Sequence, residues 1–229
     1  MVRVAGIDGC SGGWVVVTAP ADNQGGTSVE RVTDLTTVIH RLDSGDLAAV
    51  GIDIPIGLPD TGSRRCDVEA RKMIGPRRSS VFPAPIRPVL GAETYEGALA
   101  KCRGVSEKGL SRQGFAILPK IAEVDRLMTP DRQRNLVEVH PEVCFTVLAG
   151  RPMSHHKATP EGRAERLAVL RGVFSDIDAL AVPRLLGTQP DDILDAFVAV
   201  WTAQRWFART HLRLGGDLDA RGLRMEMIA

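Results

Sequence analysis

The segment Val2-Arg3-Val4-Ala5-Gly6-Ile7-Asp8-Gly9-Cys10-Ser11-Gly12-Gly13-Trp14 decides how the rest of the chain is read. Small and β-branched residues lead up to Asp8, the glycines at 9, 12 and 13 turn the chain, and Trp14-Val15-Val16-Val17 carries it away again. This predicts a β-hairpin, with one strand from roughly Arg3 to Asp8 and the next from roughly Trp14 to Thr18. The two-residue period of a strand puts Val2, Val4, Gly6 and Asp8 on one face. A carboxylate where an apolar strand opens into glycines is exposed at one end only, a setting suited to metal or phosphate chemistry. The competing reading is an Asp that bonds its own turn amides.

Beyond the hairpin, a polar loop from Asp22 to Thr27 leads to a third strand near Ser28 to Val32. Helical spacing follows over Asp34 to Leu42, with Thr33 as N-cap and Ser44-Gly45 as the stop. The run from Leu47 to Gly57 is almost continuously apolar, as for a strand buried on both faces. Ile52, Ile54 and Ile56 point one way, and Gly51, Asp53 and Pro55 the other. Asp53 is thus a charge set into an apolar strand, costly unless it is paired or used. A structural ion pair is the alternative.

Residues 60 to 95 are rich in arginine and proline. Cys66 to Ile74 has the pattern of a short helix, whereas Gly75 to Pro85 reads as irregular because proline removes amide donors. A rigid loop carrying Arg77, Arg78 and Ser79 suits a phosphate or carboxylate ligand, although a solvated basic loop has the same composition. Residues 96 to 130 read as mostly helical, with a turn over Gly109 to Gly114 and a helix from Ala116 to Met128 that carries Lys120. Because strand patterning resumes afterwards, the chain reads as one domain over 1–229 with an insertion at about 60–130.

The resumed strand, near Asn135 to Phe145, alternates Val137, Val139 and Pro141 against Glu138, His140 and Glu142. Pro141 should end it and leave Glu142 at a helix start, where an acid favours the dipole. Glu138 is then the sharper candidate. After His155-His156-Lys157, a helix is expected from about Pro160 to Val173. The last long helix spans Pro190 to Ala203. Pro190, Asp191 and Asp192 are ordinary helix-start chemistry, but Asp195 lies a turn further in. It shares a face with Asp192, Ala199, Thr202 and Ala203, small enough to lie close against a sheet and bring one carboxylate to the strand tips. Gly215 to Ala229 reads as a short tail.

The bulk composition narrows the classes. The chain has 229 residues, enough for one sizeable core, and its formal charge of +1 argues against a general nucleic-acid coat protein. Aromatic residues at 4% argue against a base-stacking platform of the single-strand-binding kind. Cys10, Cys66, Cys102 and Cys144 form no CxxC pair, which fits a reducing, cytoplasmic setting and no structural zinc. Neither a leader pattern nor a membrane-length apolar run is expected.

Four acids stand out: Asp8, Asp53, Glu138 and Asp195. If their strands adjoin, they converge at one sheet edge, and carboxylates that close cannot all ionise cheaply without a cation. Oxygen-only ligands suit Mg²⁺ or Mn²⁺. Two such ions about 4 Å apart form the clamp used for in-line displacement at phosphorus. Candidate contacts to the phosphate are Arg77, Arg78, Ser79, Lys120, His140 and Lys157.

The chain also resembles a known family. The motifs are Gly6-Ile7-Asp8-Gly9-Cys10 with Gly13-Trp14, Gly51-Ile52-Asp53-Ile54-Pro55-Ile56-Gly57, Ser79-Ser80-Val81-Phe82-Pro83, Pro119-Lys120-Ile121 with Glu123-Val124-Asp125, Glu138-Val139-His140-Pro141-Glu142, and Asp191-Asp192 with Leu194-Asp195-Ala196. Together they are similar to the family catalogued as domain of unknown function 429, regarded as nucleases of the ribonuclease H-like fold. The resemblance implies an α/β fold: a mixed five-stranded sheet, its first three strands antiparallel, with helices on both faces. It also implies that Asp8, Asp53, Glu138 and Asp195 hold divalent metal for phosphodiester hydrolysis of a nucleic acid or a smaller phosphate ester. The basic, largely helical insertion is not part of a minimal nuclease core. Two other classes remain open: a phosphotransferase of the actin and sugar-kinase superfold, with Gly9, Gly12 and Gly13 cradling nucleotide phosphates, and a non-catalytic binding protein.

Overall fold

The computed structural model describes residues 1–105, 109–181 and 187–229. The part of the helical expectation for 96–130 that falls on 106–108 lies outside them. In chain order the elements are β1 (Arg3–Cys10), β2 (Gly13–Pro20), β3 (Ser28–Val32), α1 (Thr36–Asp43), β4 (Ala49–Ile52), α2 (Arg65–Met73), α3 (Tyr95–Val105), α4 (Arg112–Ala116), α5 (Leu118–Leu127), β5 (Leu136–Glu138), α6 (Pro141–Ala149), α7 (Pro160–Arg171), α8 (Ile177–Leu180), α9 (Pro190–Phe207), β6 (Arg213–Leu218) and β7 (Arg224–Ile228). The main sheet has the order β3-β2-β1-β4-β5. β2 runs antiparallel to both of its neighbours, β1 and β3, whereas β4 runs parallel to β1, and β5 parallel to β4. This is the ribonuclease H-like arrangement of a mixed five-stranded sheet.

Alternation along the strands builds two cores. Val4, Val15, Val17, Ala49 and Val137 face α9 and its neighbours. Ala5, Ile7, Val16, Val50 and Ile52 face α1 and the inserted segment, which supplies Ile86, Val89, Ala98, Leu118, Ile121 and Val124. The insertion therefore closes the second face of the sheet. On the first face α9 lies across β1, β4 and β2. It approaches so closely that a Cβ at Gly6 would sit 2.2 Å from the Ala196 carbonyl oxygen, and one at Gly51 would sit 2.7 Å from that of Ala199. The small face expected of this helix is the one that meets the sheet.

Several expectations need correction. Gly75–Ser80 is a 3-10 helix, with Pro76 in its first turn, where the missing amide is not needed. Thr33 does not cap α1; the residue ahead of it is Leu35, and the Asp34 side chain accepts the Thr36 amide at 2.8 Å. The regular part of the fourth strand ends at Ile52, although Ile54 and Ile56 stay in the second core as the alternation implied. Part of the turn expected over Gly109 to Gly114 is instead α4, and the helix expected from Ala116 to Met128 is α5, which starts at Leu118 with Pro119 in its first turn. The terminal segment is not a loose tail. β6 and β7 form a hairpin, Ile228 bridges Val139, and Met227, Ile228 and Ala229 are buried.

Candidate active site

The site grows from one register match. In the parallel ladder Gly6 pairs with Gly51 and Ile7 with Ile52, and the Asp53 amide donates to the Ile7 carbonyl at 2.9 Å. The next residue on each strand is an aspartate, so Asp8 and Asp53 are neighbours at the carboxyl ends of β1 and β4. Both lie on the face that carries α9, because Gly6 and Gly51, two residues earlier, are where that helix touches the sheet. Asp195 precedes Ala196, the residue whose carbonyl meets Gly6, so the packing that needs the glycines also brings the third carboxylate to the strand ends.

The electrostatics follow from crowding. Asp8 is 7% exposed and Asp195 fully buried. Burial first, then the charges of Asp53 and Asp195, hold the Asp8 carboxyl well above its usual range. Burial also raises Asp53, opposed by His140, by Lys157 and by a hydrogen bond with Asp8. Burial pushes Asp195 up to about 7 against the pull of Lys157. The Lys157 ammonium donates to Asp195 Oδ2 at 2.6 Å and lies 3.5 Å from Asp191. Burial alone would lower that lysine, but Asp195 and then Asp8 outweigh it, and its shift is upward. Asp8 also accepts its own turn amide, Gly9, at 2.8 Å, so the local role anticipated for it coexists with the cluster.

Glu138 is not part of this group. It is buried against Arg64, whose guanidinium reaches its two carboxylate oxygens at 2.6 and 2.7 Å and also binds Asp67 at 2.6 Å. The Ile56 amide donates to Glu138 at 2.6 Å, and Arg64 faces the Ile56 and Gly57 carbonyls at 3.3 and 3.4 Å. Burial pushes the Glu138 carboxyl up to about 7 against Arg64. Cys66, Asp67 and Glu138 lie close enough together to hold a cation, but the Arg64 guanidinium already occupies that role, and burial raises the Cys66 thiol. The structure therefore makes Glu138 a pin for the segment after Asp53. Arg64 was missed because its partner lies across the fold, and neighbouring Arg65 looks the same in sequence.

The other predicted contacts scatter around the rim. Lys120 lies 4.1 Å above the Trp14 ring, donates to the Gly13 carbonyl, and packs its stem beside Gly9. Burial lowers its ammonium, with Cys10, Glu123 and Asp8 pulling the other way. Glu123, quoted above within a family motif but given no role there, fixes this corner by accepting the Trp14 indole N–H at 3.1 Å and the Leu35 amide at 3.0 Å. His140 Nε2 lies 3.2 Å from the Ser80 carbonyl. Arg77 faces Glu142 at 3.9 Å, and Glu142 is bound by the buried Arg166. Arg78 and Ser79 are exposed. Asp192 serves the start of α9, as expected, by accepting the Gln189 amide at 2.8 Å.

The donor set fits a hard divalent cation. Three carboxylates meet, two of them strongly destabilised as anions by burial, and Asp195 Oδ1 is buried with no hydrogen-bond partner among the described residues. Fold and site together define a ribonuclease H-like α/β domain with a carboxylate cluster at its strand ends. The chain belongs to the family described as "Protein of unknown function (DUF429)", whose family model matches residues 6–219. No curated protein matches it in sequence. Among solved structures it is similar to T. thermophilus RuvC in complex with a Holliday junction substrate, at 14% identity, covering 92% of this chain and 98% of that one with a TM-score of 0.37. Among the described residues no helix is long and apolar enough to cross a membrane, and all four cysteines are free and buried.

Proposed function

We propose that this protein is a metal-dependent hydrolase of phosphodiester bonds in nucleic acid, with Asp8, Asp53 and Asp195 holding Mg²⁺ or Mn²⁺. The observation that carries the reading is the meeting of these three carboxylates, from β1, the end of β4 and α9, at a density that disfavours their ionisation. The bound cation would activate the attacking water and stabilise the leaving oxygen. The chain's own groups do the rest. Lys157, 38% exposed along its side chain, offers an ammonium beside the cluster that can meet a phosphate oxygen. Lys120 offers a second one across the Gly9 side. His140 lies close enough to Asp53 to favour its anion. Arg77, Arg78 and Ser79 are proposed only as outer contacts.

The phosphotransferase reading gains no support from the glycine turn. The Gly9 amide donates to Asp8 Oδ1 at 2.8 Å and the Ser11 amide to the Gly187 carbonyl at 3.3 Å, so two N–H groups that a phosphate cradle would need are committed within the protein. Gly13 pairs with Cys10 in the β1–β2 ladder, and a Cβ there would collide with the Val32 oxygen at 2.2 Å, so it serves packing. The test is cleavage of DNA and RNA by purified protein with Mn²⁺, alongside Asp8→Asn. Cleavage lost with the variant supports the proposal. Equal cleavage by both proteins would mean a contaminating nuclease and refute it.

A further inference from the structure

The acids occupy the carboxyl ends of β1 and β4. At the other end of the sheet a cavity of about 500 Å³ opens beneath the last turn of α9, next to Ala48 and Asn135, which precede β4 and β5. Its functional lining is Arg134, Arg209, Arg213, His211, Trp206 and Phe207, with no acid among the lining residues. In a chain whose net charge is only +1, three guanidiniums at one cavity are a local concentration of positive charge. Two further concavities adjoin it, one sharing Arg134, Trp206 and Arg213 and adding Arg224 and Glu226, the other sharing Phe207 and adding Arg3, Arg41 and Asp46, so the acid-free lining is confined to the first cavity.

Arg209 is the informative residue. Helix α9 ends in a pair of backbone bonds, Thr210 N–H to the Arg205 carbonyl at 2.9 Å and Arg209 N–H to the Trp206 carbonyl at 3.1 Å. This closure needs a left-handed residue, and Arg209 supplies it at φ 59°. Glycine is the unstrained choice there, so an arginine carries a conformational cost that packing does not explain. Its guanidinium makes no ion pair with the described residues, whereas Arg213 is 3.4 Å from Glu226 and Arg134 3.3 Å from Asp131.

The rings specify more than an anion. Phe207 is 46% exposed at the cavity. The Trp206 indole N–H is committed to the Arg134 carbonyl at 2.9 Å, and its ring is partnered by His211, tilted by 44° with centroids 4.4 Å apart, and by the Arg213 guanidinium 5.6 Å from its centroid, which leaves Phe207 as the open ring. Guanidiniums beside an open aromatic face match a phosphate joined to a flat base, and the volume is that of a small-ligand pocket. We infer that this cavity is a second binding site, distinct from the carboxylate cluster, for a nucleoside phosphate, with Arg209, Arg134 and Arg213 on phosphate and Phe207 against the base. It rests on the hydrolase reading in one respect: it supplies that enzyme's substrate with a contact remote from the acids. Asp195 and Phe207 are separated along α9 by about 18 Å at 1.5 Å per residue, a distance an extended strand can bridge.

The test is fluorescence anisotropy of a short labelled oligothymidylate in EDTA, using the Asp8→Asn protein so that cleavage plays no part. Arg209→Gly removes the guanidinium while relieving the left-handed backbone, so the melting temperature should hold or rise as affinity falls. The expected loss is about fivefold or more, with a shallower salt dependence, and Phe207→Ala should lose affinity without that change in salt slope. Displacement by dTMP assigns a free nucleotide, and displacement by unlabelled oligonucleotide alone assigns a strand; either supports the inference. Affinity unchanged in both variants overturns it, as does equal displacement by polyglutamate, which would mark an acidic protein partner. Because the readout excludes metal and cleavage, its failure leaves the hydrolase proposal standing, and loss of that proposal's cleavage assay leaves this binding measurable.

Discussion

Gly6→Ala tests whether the close approach of α9 to the sheet is what assembles the site. The added Cβ would lie 2.2 Å from both the Ala196 oxygen and the Val200 nitrogen, against 3.4 Å or more for ordinary contact. The deficit is about 1.2 Å. Both obstructing atoms are helix backbone, so no rotamer change relieves them, and α9 must lift off β1. Overpacking of this kind costs about 1–3 kcal/mol, and the rigid neighbours on both sides place this case at or above the upper figure. Lifting the helix also moves Asp195 away from Asp8 and Asp53, so Mn²⁺ affinity should fall roughly 10- to 100-fold, the range typical of disturbed ligand positioning. Urea unfolding and Mn²⁺ titration calorimetry read the two effects separately. Gly26→Ala, where nothing lies within 4 Å of the new Cβ, is the control and should change stability by no more than about 0.5 kcal/mol. Native stability in Gly6→Ala would refute the packing argument, and native Mn²⁺ affinity in a destabilised Gly6→Ala would refute the link from packing to site.

Asp53→Asn or Asp195→Asn should weaken Mn²⁺ binding at least about tenfold. Glu138→Gln should leave that affinity within about twofold while destabilising the fold by about 3 kcal/mol, because it breaks a buried pair and leaves Arg64 with Asp67 as its one remaining carboxylate among the described residues; the same calorimetry and urea unfolding separate these. With Asp195 raised to about 7 in the folded protein and near 3.9 unfolded, the folded state holds the extra proton between these values. Metal-free stability should therefore fall as pH rises from about 4 to 7. Chemical denaturation in EDTA across this range should show the slope in the native protein and a flatter one in Asp195→Asn. Lys157→Met removes a cation 2.6 Å from Asp195. It should bind Mn²⁺ more tightly than the native protein yet cleave nucleic acid more slowly, read by calorimetry and a gel assay; unchanged Mn²⁺ affinity would mean the ammonium does not share the cation's place.

The hairpin, the apolar strand through Asp53 and the small face of the last helix were legible in sequence because each depends on a local period and on the size of a few side chains. The same patterning singled out Asp8, Asp53 and Asp195 as charges placed in apolar surroundings. Other parts depended on partners far along the chain. Glu138 shares the local signature of a site acid, yet its environment is set by Arg64, 74 positions away, and no spacing rule encodes that pairing. The terminal hairpin was illegible because its glycines, Gly215 and Gly216, at φ 75° and 119°, lie inside the first strand as a bulge and break the alternation.

Sequence alone determined the strands and helices that carry the main sheet and its last helix, and which carboxylates stood in apolar surroundings, since burial preference and backbone period act over a few neighbours. Only the tertiary structure decided which carboxylates meet. That choice rests on the parallel register that sets Gly6 beside Gly51, and on α9 lying directly on both glycines, where the absence of two Cβ atoms brings Asp195 to Asp8 and Asp53 and leaves Glu138 to its arginine.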